Sequence, residues 1–137
     1  MFPINFAAVG VAAITAFTLG FLFHGPLFGK LWMRLADIHP TGNEKFSDII
    51  PQMAWNLLMN FITAFVLAGI LWMSSLSMGP ITWGKGAFVA VWLWFGFIIP
   101  TSSIEVIWMK RSVKHWLFEA TSSLVVMMVM GAIIAAW

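Results

Sequence analysis

Residues 49–84 read IIPQMAWNLLMNFITAFVLAGILWMSSLSMGPITWG, and none of these side chains is charged. A second uncharged run reaches from the amino terminus to Lys30. Water is an implausible solvent for such stretches; the hydrocarbon of a bilayer is the natural one. An unpaired backbone N–H or C=O costs several kcal/mol there, so a spanning segment must be a helix or part of a closed barrel. The strict alternation of barrel strands is missing, which leaves helices. About 20 residues cross a hydrocarbon layer of about 30 Å. Residues 49–84 are therefore too long for one crossing, and Ser74, Ser75, Ser77, Gly79 and Pro80 supply the turn that divides them.

Working outward, four spans are expected, at about 4–27, 50–73, 84–109 and 113–137, in a single domain covering 1–137. The expected fold class is an all-α integral membrane bundle of four transmembrane helices. The polar segment 31–48 reads as a loop with room for a short interfacial helix. In it His39-Pro40-Thr41-Gly42-Asn43 forms a turn, and Ser47 is the expected N-cap ahead of Pro51. Composition agrees: of 137 residues 61% are apolar and 9% charged, against about a half and a quarter in soluble domains. The absence of cysteine excludes disulfides, thiol catalysis and Cys-ligated metals. No basic segment precedes the first run, so it is expected to remain as a span.

Lys30, Arg34, Lys45, Lys110, Arg111 and Lys114 fall in the first and third loops, whereas Lys85 alone lies on the other side. Basic loops stay in the cytoplasm, so both termini are expected outside. Trp32, Trp72, Trp83, Trp108, Trp116 and Trp137 lie near span ends, where headgroups favour an amphipathic ring; Trp92 and Trp94 lie deeper and read as packing residues.

Helices in lipid associate through small residues and polar contacts. Ala8, Ala12, Ala16 and Gly20 form one four-residue row, with His24 continuing it. Gln52, Asn56, Asn60, Ala64 and Ala68 form a second, and Glu119, Ser123, Gly131 and Ala135 a third. Pro100 cannot donate to the Gly96 carbonyl, so a kink is expected there, either a hinge or a mere bend, with Thr101, Ser102 and Ser103 able to satisfy the freed groups. Gly10, Gly20 and Trp32 align with Gly86, Gly96 and Trp108, and Asn56 and Asn60 with Glu119 and Ser123. Such an alignment is what two parallel-repeat hairpins would give.

His24, Gln52, Asn56, Asn60, Glu105, His115 and Glu119 form the candidate polar cluster. Glu105 stands five residues before Lys110 and Glu119 five after Lys114, which at about 1.5 Å per residue places both at similar depth, and His115 shares a face with Glu119. One reading is a cation or proton site of two carboxylates with His24. The other is ion pairing with Lys110, Arg111 or Lys114 that anchors the bundle. Asp37, His39, Glu44 and Asp48 match no metal-ligand spacing. No phosphate-binding loop, nucleophile elbow or zinc-protease motif occurs, so no catalytic, cofactor or metal residue is assigned. The basic residues suit anionic headgroups better than nucleic acid.

The stretch Gly20-Phe21-Leu22-Phe23-His24-Gly25-Pro26-Leu27-Phe28-Gly29-Lys30-Leu31-Trp32, with Gly96 to Thr101 and the ending Met130 to Trp137, resembles the family DUF1761. These are small, mostly bacterial multi-pass membrane proteins with no established activity. The resemblance implies a bacterial inner membrane location. The family often carries a tyrosine after the fourth span's polar residue; here Thr121-Ser122-Ser123 stands there and tyrosine is absent. Two functions remain open. One is a structural or accessory subunit that forms a homo-oligomer or joins a larger membrane complex. The other is a small transporter or channel component moving a proton, cation or small solute along the polar cluster. An enzyme has no motif to support it.

Overall fold

The computed structural model describes residues 3–137, and the described residues are helical with no strand. α1 runs Phe6–Leu22 and continues into a π-helical turn at Phe23–Leu27; α2 follows at Gly29–Leu35, α3 at Phe46–Met78 and α4 at Trp83–Leu93. A second π-helical turn, Trp94–Ile98, leads into the short helices α5, Ile99–Ser102, and α6, Ile104–Ile107, before α7, Val113–Ala136. Four of these segments, Phe6–Leu27, Phe46–Met78, Trp83–Ile107 and Val113–Ala136, are long and apolar enough to cross a membrane.

Several helix ends have a local reason. The Asn5 side chain accepts from the Ala7 and Ala8 amides at 3.0 and 3.2 Å and opens α1. Ser47 is not the cap of α3, which starts earlier: the Asp48 carboxylate accepts from the Lys45 amide at 3.2 Å, and the Asp48 amide donates to the Lys45 carbonyl. Nor do Ser74, Ser75 and Ser77 end it. Ser74 donates back to the Ile70 carbonyl at 2.9 Å and Ser75 to the Trp72 carbonyl at 2.6 Å, so these hydroxyls are satisfied inside the helix. Only Gly79, at φ 69°, stops α3. α2 closes with Asp37 in the left-handed region and the Ile38 amide on the Met33 carbonyl at 2.8 Å, the six-to-one bond of a Schellman ending.

In the turn that follows, Glu44 accepts from the Thr41 amide at 2.6 Å, the Thr41 hydroxyl at 3.0 Å and the Gly42 amide at 2.9 Å. These donors, the Thr41 amide foremost, hold the Glu44 carboxyl below its ordinary range. A carboxyl lowered by folding stabilises the turn in full above its ordinary value, and the contribution is lost as pH falls through the lowered one. Acidification is therefore expected to release the Thr41 and Gly42 amides, seen as upfield proton shifts by NMR in nanodiscs. Glu44→Gln should abolish the titration; amide shifts that track pH equally in that variant would contradict this account.

α1 packs along both α3 and α7, and α4 packs along α7. The core is made of small residues: Ala8, Ala12, Ala16, Ala64 and Ala68 are buried, joined by Val9, Ala13, Leu67, Leu71 and Met130. Gly20 and Ala135 are half-buried. The closest approach lies elsewhere, between Gly86 of α4 and Gly131 of α7, where a Cβ on either glycine would collide with the other's backbone carbonyl. Gly86 and Ala90 on one helix face Gly131 and Ala135 on the other, a small-xxx-small crossing on both sides.

Three expectations need correction. α3 only touches α4, so the two hairpins do not pack as an exchangeable pair. The residue pairing of the repeat also sets Phe23–Leu27 against 99–103, whereas the second π turn is at Trp94–Ile98. The break in the third span begins ahead of Pro100 and returns at Ser103: the Ile99 amide donates to the Trp94 carbonyl, and the hydroxyls of Thr101, Ser102 and Ser103 bond carbonyls of residues 97–100 rather than that of Gly96. Trp92 is not a packing residue, being 62% exposed. Trp94 does face inward, its indole donating to the Ala120 carbonyl at 3.1 Å and Ser123 Oγ at 3.0 Å.

Candidate functional site

Pro26 has no amide to donate into the helix, and α1 loosens around it into the π turn that carries His24. The chain then turns at Phe28 and Gly29. Gly29 is buried, and a Cβ there would stand 3.0 Å from the His24 carbonyl, so the turn is tight and α2 packs against the π turn and α7. That packing places Trp32 against α7.

The three elements meet at Glu119. Its carboxylate lies 3.0 and 3.1 Å from His24 Nε2 and accepts from the Trp32 indole at 2.8 Å. His24 Nδ1 is 2.9 Å from the Gly20 carbonyl. A carbonyl can only accept, so Nδ1 carries a proton. Nε2 then either donates to a carboxylate or accepts from a carboxylic acid. In both cases one proton lies between His24 and Glu119, and the pair is neutral as a unit.

His115, one turn before Glu119, brings Nε2 to 3.5 Å from the same carboxylate, and its side chain is 10% exposed. Its Nδ1 is buried without a hydrogen-bond partner among the described residues. Aromatic rings wall the pair: Trp32 and Phe118 stand edge-on to the imidazole with centroids 5.2 and 5.7 Å away.

The pair is not sealed. The side chains of His24 and Glu119 are 31% and 38% exposed, and they border a cavity of about 170 Å³ with Asn56, Asn60, Ser122 and Ser123. A neighbouring hollow of about 180 Å³ shares Gly20, His24 and Asn56 and adds Gln52, Phe17 and Phe21. Asn60 Nδ2 donates to the Asn56 carbonyl at 2.9 Å and to Asn56 Oδ1 at 2.6 Å. Ser122 donates to the Phe118 carbonyl at 2.8 Å.

Of the seven residues singled out from sequence, the structure sets His24, Asn56, Asn60 and Glu119 around this groove, Gln52 on the neighbouring hollow and His115 against Glu119, and leaves out Glu105. Its carboxylate bonds to no other described residue. Equal depth was reckoned for straight helices, and the third span is broken at Trp94–Ile98 and Ser103. Glu119 does not pair with Lys110, Arg111 or Lys114 either; its partners are two imidazoles and an indole. Trp32 was read as a headgroup anchor and is a site residue instead. The spacing Gly20, His24 and Trp32 around Pro26 is the signal that could have found it. Trp116 similarly bridges helices, donating to Ser102 Oγ at 2.9 Å.

Comparison with known proteins gives one match. A family model described as "Protein of unknown function (DUF1761)" covers residues 7–135. No curated protein matches the chain, and no solved structure does.

Proposed function

The chain belongs to the family DUF1761, and from that premise we propose that it is a membrane-embedded accessory subunit, self-associating or built into a larger complex, rather than an enzyme. The observation that carries this reading is the third span. Of its most apolar window only 6% is buried within the chain, against 28%, 22% and 28% in the other three. It rests on α7 and leaves Phe88, Trp92, Phe95 and Phe97 facing outward, between 57% and 66% exposed. A span held along one side has room for a neighbouring helix, and Trp, here Trp92, is enriched among the anchors of protein interfaces.

In this reading the protein lies in a bacterial inner membrane with both termini outside, an orientation supported by the six basic residues of the first and third loops against Lys85. Anionic lipid and a second membrane subunit are its partners, and nucleic acid is not.

Because the chain contains no cysteine, a single Phe95→Cys substitution gives a clean reporter. Oxidation in native membranes is expected to cross-link it to a second copy or to one defined membrane partner. Ala12→Cys, buried in the core, should remain uncrosslinked. A strictly monomeric protein with an unreactive position 95 would contradict the accessory reading.

A second reading, a small transport component, is favoured by one feature: the His24–Glu119 pair opens onto an amide- and hydroxyl-lined groove instead of lying in a dry core.

A further inference from the structure

The groove beside His24 and Glu119 has an unequal supply of hydrogen-bonding atoms. Ser123 has committed its proton to the Ala120 carbonyl and accepts from Trp94, which leaves its oxygen one acceptor lone pair and no donor. Asn60 has committed its amide nitrogen to Asn56, which leaves Asn60 Oδ1 as an acceptor. Ser122 has committed its proton to Phe118, which leaves lone pairs on its oxygen. The Glu119 carboxylate, one of its oxygens shared by His24 and Trp32, has lone pairs to spare. Against these acceptors stands one uncommitted donor, the Asn56 amide nitrogen. The lining is thus built for a ligand that donates. The adjoining hollow, bordered by Phe17 and Phe21, is apolar and aromatic, as the organic part of such a ligand requires.

Charge sets the second half of the argument. The His24–Glu119 pair holds one proton and is neutral, and α3 presents amides without charge on the facing side. Trp32 on α2 is neutral, and His115 on α7 faces the same carboxylate at 3.5 Å. A cation entering the groove would give this membrane-embedded site a net positive charge, which is costly. Releasing the shared proton to water leaves neutral His24 beside ionised Glu119, and the bound cation restores neutrality. We propose that the groove binds a small primary ammonium ion, R–NH3+, in electroneutral exchange for the proton shared by His24 and Glu119. One proton leaves for each ammonium bound, no bond other than that N–H or O–H bond is broken, and the ligand keeps its own charge. This binding site is independent of the accessory role and of whether the protein transports anything.

The test is calorimetric titration of benzylammonium chloride into the full chain in lipid nanodiscs, with empty nanodiscs subtracted, in two buffers of different ionisation enthalpy at one pH. Saturable binding with close to one proton released per ammonium is expected. Glu119→Gln should abolish both binding and release, because neutral His24 then has no exchangeable partner. Asn60→Leu, which leaves the ion pair intact, should weaken binding at least tenfold while preserving the proton count of what still binds. Binding without proton release would overturn the proposal. So would equal affinity for benzyl alcohol, which would mark a merely apolar hollow, or equal affinity for sodium or potassium, which would mark a site for bare cations. Benzylammonium affinity unchanged in Asn60→Leu, or no saturable binding to the unaltered protein, would overturn it as well.

Discussion

Replacing Gly131 with leucine is expected to part α4 from α7 and to destabilise the bundle by about 3 kcal/mol or more, the upper range for overpacking a close contact. The reason is that the atoms a side chain would meet are not flexible ends. They are the carbonyl oxygen and carbon of Gly86, with the Ala90 Cβ beside them at 2.9 Å, so relief requires moving a whole helix. Gly86→Leu should do the same from the other side, where the obstruction is the Gly131 carbonyl and the Ala135 Cβ. Gly69→Ala provides the contrast. Nothing lies within 4 Å of its added Cβ, so it should be close to neutral. Unfolding equilibria measured in bicelles would decide, and similar stabilities for the three variants would show that the crossing is not close.

The second large effect is expected at His24. His24→Ala removes the imidazole that bonds the Glu119 carboxylate and leaves that group with the Trp32 indole and a distant His115. Hydrogen bonds to a charged group contribute about 1.5–3 kcal/mol. Glu119 is 38% exposed, which places the expected loss near the lower figure, about 1.5 kcal/mol. Glu119→Gln should cost a similar amount, and the double variant should cost little more than either alone, since both remove one interaction. Strictly additive losses in the same unfolding assay would mean that the two side chains act separately.

These two contacts mark how far the sequence could be read. The spans followed from uncharged runs because solvation by lipid is a property of composition, and the buried row Ala8, Ala12, Ala16 followed from spacing on one regular helix. Helix ends did not follow as well. Serines at 74, 75 and 77 look like a turn by residue type, yet a hydroxyl that bonds its own preceding turn lets the helix run on to Gly79. The third span misled most, since π turns shift the register of every later residue. Glu105 was therefore set beside Glu119 by arithmetic that holds only for an unbroken helix. Gly86 was noticed as a repeat position, but its contact with Gly131 depends on how two helices cross, which no spacing within one helix encodes. In the site, His24, Asn56, Asn60, His115 and Glu119 were recognisable as polar residues in apolar surroundings. The part played by Trp32 depends on the chain turning after Pro26 so that α2 meets α7, a tertiary event.

The account turns on the first and last spans being joined, within a bilayer, by His24 and Glu119. Solid-state NMR of the protein in lipid, with 15N-labelled histidine and 13C-labelled glutamate, measures that contact directly. A strong dipolar coupling between His24 Nε2 and the Glu119 carboxyl carbon is expected, from oxygens 3.0 and 3.1 Å away, and it should vanish in Glu119→Gln once the labelled carboxyl is gone. A His24 signal with no glutamate coupling would contradict the account.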